Sequence, residues 1–166
     1  MRAILHADKN WGIGKNNGLM FKIPADMKFF KETTTGNVVV MGSNTLKSFP
    51  QGKPLKDRTN IVLYPDGEDR DDCKIVRSLE ELFSEIKKYP SEKVFVIGGQ
   101  MMYRTLLYYC DEVLVTKVEA EGDADAFFEN LDENANFKLV YESEPQETNG
   151  YTIKFTTYKN LSVKQY

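Results

Sequence analysis

A chain of 166 residues with a formal net charge of −3 is long enough for one domain whose apolar core needs no disulfide or metal. Its acidic balance, with a pI near 5.3, argues against a general nucleic-acid-binding protein, whose binding surface is basic. Cys73 and Cys110 fit no metal or redox spacing, and residues 1–7 hold an apolar run too short for a signal peptide. We therefore expect one domain over residues 1–166, soluble, cytoplasmic and monomeric, with free thiols, no bound metal and no nucleic-acid or membrane partner.

Strands and helices are predicted to alternate along the chain. Apolar runs predict strands at residues 3–5, 38–41, 58–63, 74–76, 94–97 and 113–116. Helical spacing and capping signals predict helices over residues 24–34, from 43 to about 49, from 79 to about 88, and over 100–108. Alternating apolar and polar residues over 137–144 and 151–158 predict an antiparallel hairpin. The expected fold is α/β, with a mostly parallel, twisted central sheet of about eight strands, an antiparallel C-terminal hairpin and about four flanking helices.

Local signals mark the ends of the helices and one long loop. Pro24 suits the first helical position, because its φ is already helical and it lacks an N–H that would need a partner. Gly36-Asn37 ends that helix, Ser43-Asn44-Thr45 offers capping side chains for the next, and Ser78 caps the third. Residues 8–18 show no apolar period and predict a glycine-containing loop of about ten residues, a length typical of functional lids.

Two strands end in glycine directly before a predicted helix, at Gly42 and at Gly98-Gly99. The carboxyl ends of parallel strands meet at one edge of a sheet, so these glycines are expected close to the 8–18 loop. Glycine lets backbone N–H groups approach a ligand, as in many phosphate sites, although crossover units also use glycine for packing alone. Gly98-Gly99 is the stronger candidate. The full G-x-G-x-x-G fingerprint is absent, which excludes an ordinary Rossmann domain.

Asp26 falls in the first turn of the first helix, with Phe29 and Phe30 one turn further on. The helix N-terminus favours the charged carboxylate by roughly 0.3–1 kcal/mol, whereas burial against apolar groups opposes the charge more strongly. An isolated acid at this place is usually solvated. Because the long loop and both glycine seats are expected at the same edge, Asp26 is instead predicted to belong to a ligand site.

Five segments of the sequence carry a specific pattern. They are Trp11-Gly12-Ile13-Gly14, then Phe21-Lys22-Ile23-Pro24-Ala25-Asp26-Met27-Lys28-Phe29-Phe30, Val40-Met41-Gly42 with Thr45, Arg58 before a strand, and Ile97-Gly98-Gly99 with Tyr103. In this order and at this spacing they resemble dihydrofolate reductase of the bacterial chromosomal type. The resemblance covers almost the whole chain.

The resemblance implies reduction of 7,8-dihydrofolate to 5,6,7,8-tetrahydrofolate by hydride transfer from NADPH to C6 of the pterin, with protonation at N5. Asp26 matches the ionisable group that binds the 2-amino and N3 groups of the pterin, and Thr116 matches the residue that assists it through water. Phe21 matches the third catalytic position, at which many members have tryptophan. Asp26 is expected to lie too far from N5 to protonate it directly, so its expected role is to orient and polarise the pterin while a water supplies the proton.

The resemblance also assigns binding residues. Arg58 matches the partner of the glutamate α-carboxylate, for which the arginine fork is suited. The residues that match the substrate site are Ile4, Leu5, His6, Met27, Phe30, Phe49, Leu55, Arg58 and Ile97. Residues 14–23 match a mobile lid over the nicotinamide, and Asp125 matches the residue that supports its closed form. The residues that match the cofactor site are Ala7, Ile13, Gly14, Gly18, Leu19, Gly42, Ser43, Asn44, Thr45, Leu63, Tyr64, Arg77, Gly98, Gly99, Gln100, Met101 and Tyr103.

Several positions depart from the family pattern. Ser43 stands where arginine is usual, Tyr64-Pro65 replaces a polar pair, and Met101 follows the paired glycines where some members carry arginine. These positions are expected to hold the 2′-phosphate, so we expect NADPH as cofactor but with a weakened preference over NADH, for which Arg77 compensates in part. Met20 stands where proline is frequent, and His6 stands where alanine is expected. The histidine is more often structural than catalytic in such a place.

Two alternatives to dihydrofolate reduction are left open by the sequence. A related pteridine or pyrimidine reductase could share the strand–glycine seats, although Asp26 together with Arg58 favours folate. A folate-binding protein without turnover would account for His6 and for the missing arginines at the phosphate site, although Asp26 weighs against it.

Overall fold

The structure is a computed structural model that describes residues 1–166. The strands are β1 (Arg2–Ala7), β2 (Gly12–Gly14), β3 (Val38–Gly42), β4 (Thr59–Leu63), β5 (Lys74–Val76), β6 (Val94–Gly98), β7 (Glu112–Val118), β8 (Ala126–Phe127), β9 (Phe137–Glu142), β10 (Gln146–Thr148) and β11 (Tyr151–Asn160). The helices are α1 (Pro24–Thr34), α2 (Ser43–Ser48), α3 (Leu79–Ile86) and α4 (Gln100–Leu106). Short 3₁₀ turns lie at Pro50–Gly52, Ser91–Lys93, Leu107–Tyr109 and Leu131–Glu133.

A nine-stranded sheet runs through the centre of the molecule in the order β10-β11-β7-β1-β6-β3-β4-β5, and β9 also pairs with β11. The six strands from β7 to β5 are parallel, whereas β11 runs antiparallel to β7, β9 and β10. This confirms the α/β class, the mostly parallel sheet and the antiparallel C-terminal strands. The crossovers place the carboxyl ends of β1, β3 and β6 at one edge.

Both faces of the sheet are covered. Alternate residues of β3 belong to different apolar clusters: Val38 and Val40 to a large one, Val39 and Met41 to a smaller one. Helices α3 and α4 contribute Leu82 and Leu106 to the large cluster, and α2 contributes Leu46 to the smaller one. A strand covered on both sides needs apolar residues throughout, which explains the continuous run at 38–41. None of the helices has the length and apolar character that crossing a membrane requires.

The structure corrects several local predictions. Residues 12–14, expected within a loop, form β2, which pairs with β8 in a separate two-stranded sheet. Glu147 and Thr148, expected in a turn, belong to the additional strand β10, so the tight turn is at Asn149-Gly150. The N-cap of α2 is the glycine before Ser43, and no side chain caps it, so Ser43-Asn44-Thr45 lies inside the first turn. The helices α3 and α4 end at Ile86 and Leu106.

Other helix signals are confirmed. Pro24 is the first residue of α1, Ile23 is its N-cap, and Asp26 lies in the first turn. Ser78 caps α3 by accepting a hydrogen bond from the Glu81 N–H at 3.1 Å.

Candidate active site

A cavity of about 880 Å³ opens at the edge where β1 and β6 end, and α1, α2 and the 14–19 segment form its walls. All nine residues predicted to bind substrate line it, and so does Asp26. The predicted cofactor residues that line the same cavity are Ile13, Gly14, Gly18, Leu19, Thr45, Gly98, Gly99, Gln100 and Tyr103. The volume lies within the roughly 300–1,000 Å³ that is typical of ligand pockets.

Ten predicted site residues do not line the cavity. Phe21, Thr116 and Ala7 are buried beside it, with exposed fractions of 7%, 2% and 1%. The others lie at the start of α2, on α4 or at the ends of β4 and β5, and they are Gly42, Ser43, Asn44, Leu63, Tyr64, Arg77 and Met101. Met101 points away from the core, with 68% of its surface exposed.

Asp26 is held at the inner end of the cavity by the start of α1. Its side chain is only 14% exposed, and Oδ2 lies 3.0 Å from His6 Nδ1. Phe30, one turn further along α1, lines the same cavity, so the carboxylate faces both a polar partner and apolar walls. A buried carboxylate with unused acceptor sites is suited to bind a ligand that presents adjacent N–H groups.

His6 is the point at which the three predicted catalytic residues meet. It bonds Asp26, its ring centre lies 6.0 Å from that of Phe21, and it pairs with Thr116 in the parallel ladder between β1 and β7. Phe21 belongs to a small apolar cluster with Ile23, so its ring is fixed behind the site. Through His6 the three residues form one contiguous group, although Thr116 lies 90 positions after Asp26 in the sequence.

The outer end of the cavity is basic. Arg58 lines it together with Lys28 and Lys31 of α1. The Arg58 Nε donates to the Lys56 carbonyl oxygen at 2.8 Å and Nη1 donates to Thr34 Oγ1 at 3.2 Å, which leaves Nη2 without a protein partner. Burial lowers the pKa of the Arg58 guanidinium while nearby Asp57 opposes that shift, and an arginine remains charged at neutral pH. A fixed, charged guanidinium with free donors is suited to a carboxylate.

The buried side chain of Asn60 fixes the backbone of Leu55 and Arg58. Its Oδ1 accepts from the Leu55 N–H at 3.0 Å, and its Nδ2 donates to the carbonyl oxygens of Leu55 and Arg58 at 2.9 and 3.1 Å. Sequence reasoning gave Asn60 no role.

The paired glycines form a close-fitting seat at the end of β6. Gly98 has φ +131°, and a Cβ atom there would lie 3.3 Å from Thr45 Oγ1 and 3.7 Å from the Tyr103 ring. The Tyr103 hydroxyl donates to the Ile4 carbonyl oxygen at 2.7 Å, and burial raises its pKa, so it remains a donor. Neither glycine projects a side chain into the cavity, which leaves the backbone open to the approach of a cofactor.

The segment before α1 is fastened to residues 121–126. Asp8, only 7% exposed, accepts backbone hydrogen bonds from Asn10 and Gly12 through Oδ1 at 2.8 and 2.7 Å, and from Gly122 through Oδ2 at 3.0 Å. The side chain of Asp125 accepts from the Asn16 N–H at 3.0 Å.

The tip of this segment spans the cavity. Lys15 Nζ pairs with Asp123 at 2.5 Å, which raises the pKa of Lys15 and lowers that of Asp123. Asn17 Nδ2 donates to the Asn44 carbonyl oxygen on α2 at 2.8 Å. These contacts hold the segment across the side of the cavity that Gly98 and Gly99 line.

Several lining residues are not among the sequence-predicted site residues. These are Lys15, Asn17, Lys28, Lys31, Ser48, Pro50, Asp125 and Ala126, of which the first two belong to the predicted lid and Asp125 to its predicted support. Lys31 lies four residues after Met27 and Ser48 three after Thr45, so helical spacing from known site residues is the signal that finds them.

Comparison with known proteins agrees with this geometry. The sequence model of dihydrofolate reductase matches residues 1–160. The dihydrofolate reductase of Bacillus subtilis (strain 168) is 38% identical over 160 residues, which cover 94% of this chain and 92% of that protein. The dihydrofolate reductase of Schistosoma mansoni is 35% identical over 95% of both chains.

A solved structure shares the fold. The dihydrofolate reductase from Enterococcus faecalis, complexed with NADP(H) and RAB-propyl, superposes with a TM-score of 0.81 at 32% sequence identity, covering 96% of this chain and 95% of that one. The family model, the close relatives over nearly full length and the shared architecture agree with one another. The chain therefore belongs to the dihydrofolate reductase family of NADPH-dependent oxidoreductases.

Proposed function

We propose that the cavity reduces 7,8-dihydrofolate to 5,6,7,8-tetrahydrofolate and that Asp26 holds the pterin ring. The supporting observation is the placement of the Asp26 carboxylate, which is 14% exposed and shares one cavity with the apolar residues Ile4 and Phe30. A carboxylate can accept hydrogen bonds from the 2-amino and N3 groups of the pterin at once. The apolar walls around it strengthen those bonds by excluding water.

The chemical role of Asp26 in this proposal is orientation and polarisation. Binding the 2-amino and N3 groups fixes the ring in one orientation, and the negative carboxylate pushes electron density toward N5. This favours protonation at N5, which in turn makes C6 a better hydride acceptor. A water that enters beneath the 14–23 segment supplies the proton at N5. Thr116, on the strand beside His6, assists through water, and Phe21 closes the site from behind.

The substrate tail extends from Asp26 toward the basic end of the cavity. Phe30, Phe49 and Leu55 line this part and would hold the aminobenzoyl ring. Arg58, fixed by Thr34 and the Lys56 backbone, would bind the glutamate α-carboxylate with its remaining donors.

The residues of the second half of the cavity fit NADPH. When bound there, NADPH supplies the hydride for the reduction. Gly98 and Gly99 allow a close approach of the backbone, while Thr45 and Tyr103 line the same seat. The segment 14–19 would cover the nicotinamide, and its bonds to Asp125 and to the Asn44 carbonyl oxygen would hold it in place. NADPH is the cofactor in this proposal, with a preference over NADH weakened by Ser43 and Met101.

We further propose that residues 1–166 act as one domain, as a monomer in the cytoplasm. Gel filtration with light scattering tests the monomer, because a dimer would double the molar mass of 19.1 kDa.

Initial-rate oxidation of NADPH by the purified protein tests the function, with dihydrofolate as the oxidant and tetrahydrofolate measured as product. Stoichiometric formation of tetrahydrofolate is the expected result. Turnover of a dihydropterin that lacks the glutamate tail, without turnover of dihydrofolate, would instead indicate a related pteridine reductase. Tight folate binding without any turnover would indicate a binding protein.

A further inference from the structure

His6 occupies a central position beside the pterin-binding carboxylate. Its imidazole is 4% exposed, and Nδ1 lies 3.0 Å from Asp26 Oδ2. This is the only hydrogen bond that a side chain of the protein makes to Asp26. The bond joins the end of β1 to the first turn of α1, which are otherwise separate parts of the site.

The surroundings of the His6 imidazole indicate which ring nitrogen carries the hydrogen of this bond. A carboxylate only accepts hydrogen bonds, so Nδ1 carries the hydrogen that is shared with Asp26. Nε2 is buried and has no partner in the protein. Nδ1 of His6 is therefore the donor of this hydrogen bond, and the Asp26 carboxylate is the acceptor.

The imidazole is itself fixed on two sides. His6 lies within the paired length of β1, opposite Thr116 of β7. Its ring contacts the Phe21 ring, with 6.0 Å between their centres. A donor on a buried, fully paired strand is a rigid reference point for the carboxylate.

We propose that His6 is a positioning residue that holds the Asp26 carboxylate in the orientation that binds the pterin. The Nδ1–H occupies one acceptor site of Oδ2, and Oδ1 together with the second site of Oδ2 remains for the 2-amino and N3 hydrogens, because a carboxylate offers about four acceptor sites. This role rests on the proposed function of Asp26. It assigns to His6 a part in the reaction that a buried structural histidine would not have.

A matched pair of variants separates the effect of the His6 hydrogen-bond donor from the effect of its side-chain shape. Asparagine and leucine have nearly the same shape, but only asparagine places an N–H group where the imidazole Nδ1 stands. We expect His6→Leu to lower the single-turnover rate of hydride transfer by about tenfold or more, because it removes one hydrogen bond to a charged group. The rate of His6→Asn should stay within about threefold of wild type. His6→Gln moves the amide one carbon further, to the place of Nε2, and is expected to behave like His6→Leu.

Two further measurements respond to positioning but not to packing. In the Asp26→Asn background, His6→Leu should cause no further loss of rate, because the partner of the donor is already changed. The chain has a single histidine, so nitrogen NMR of the imidazole is unambiguous and should show a hydrogen on Nδ1. Thermal midpoints confirm that each variant is folded and should not order the variants as the rates do.

The outcomes decide the proposal. Equal rates for His6→Leu and His6→Asn, rate losses that multiply with that of Asp26→Asn, or an imidazole without a hydrogen on Nδ1 would each overturn it while leaving dihydrofolate reduction intact. Wild-type protein without turnover would overturn the proposed function, and the positioning role with it.

Discussion

Arg77 donates a hydrogen bond to Asp69 at 2.9 Å and another to the Gly67 carbonyl oxygen at 2.9 Å. The guanidinium of Arg77 is therefore directed toward the loop of residues 66–72, and the Asp69 carboxylate offsets its charge. Lys47 lies over the ring of Tyr64, just after the end of β4, with 4.9 Å between Nζ and the ring centre. We therefore expect Arg77 to compensate less at the 2′-phosphate than the sequence alone suggests.

Ser43→Arg is predicted to strengthen the preference for NADPH. Ser43 begins α2 beside the end of β4, where an arginine could reach a 2′-phosphate. A charge-assisted hydrogen bond is worth roughly 1.5–3 kcal/mol, so the ratio of kcat/KM for NADPH to that for NADH should rise by about tenfold. Ser84→Arg, which adds the same charge at an exposed position of α3, serves as the control. A ratio that is unchanged in Ser43→Arg would remove this position from phosphate recognition.

Arg58→Gln is predicted to weaken substrate binding without slowing the chemical step. The guanidinium lines the outer end of the cavity, so its loss should raise KM for dihydrofolate by tenfold or more and leave kcat nearly unchanged. A dihydropterin without the glutamate tail should be reduced equally well by both proteins. Arg104→Gln removes an exposed arginine elsewhere and should change neither parameter. Equal losses with the two substrates would show that Arg58 does not bind the tail.

Asp8→Ala is predicted to loosen the segment that crosses the cofactor side. The change leaves three backbone N–H groups without their acceptor, one of them buried, and should lower the free energy of unfolding by about 2–3 kcal/mol. KM for NADPH should rise, because Ile13, Gly14 and Gly18 lose their fixed position. Glu144→Ala, at an exposed position after β9 and outside the cavity, is the control. Chemical denaturation measures the loss of stability, and initial rates measure the change in KM. A variant as stable as the control would show that the hydrogen bonds of Asp8 do not hold this segment.

Asp132 is predicted to make stability depend on pH in the acid range. Burial pushes its pKa upward, but hydrogen bonds from Tyr158 and Lys117 and the lysine charge outweigh burial, so the pKa lies below its ordinary value of 3.8. A lowered pKa stabilises the fold above the ordinary value, and that stabilisation disappears as the pH falls through the lowered one.

Asp132→Asn tests this linkage. The variant should be less stable than wild type at neutral pH, and the difference should shrink as the pH falls below about 4. Thermal midpoints measured across the acid range provide the comparison. A constant difference at every pH would mean that the loss comes from packing and not from the charge.

Much of the fold is predictable because its signals are local. The run at residues 38–41 is apolar throughout, as a strand covered on both faces requires, and Pro24 marks the start of α1. Strand β2 is not predictable, since Gly12-Ile13-Gly14 is too short to show alternation and pairs only with β8. Capping by Ser43-Asn44-Thr45 fails because Gly42 already occupies the N-cap.

The sequence predicts many of the residues that line the cavity, but not the contacts among them. The family pattern is what identifies Arg58 and Gly98 as site residues. The bond between His6 and Asp26 depends on where β1 ends relative to the first turn of α1, which no spacing rule reveals across 20 positions. The pairing of Arg77 with Asp69 likewise depends on the path of an exposed loop.

The most direct test of the central claim is the single-turnover rate of hydride transfer from NADPH to dihydrofolate in Asp26→Asn. The amide presents an N–H group where the pterin needs an acceptor, so the rate should fall on the order of a hundredfold at neutral pH in a folded protein. Glu32→Gln, the same change at an exposed acid of α1, should leave the rate unchanged. Near-wild-type transfer by folded Asp26→Asn would contradict the account.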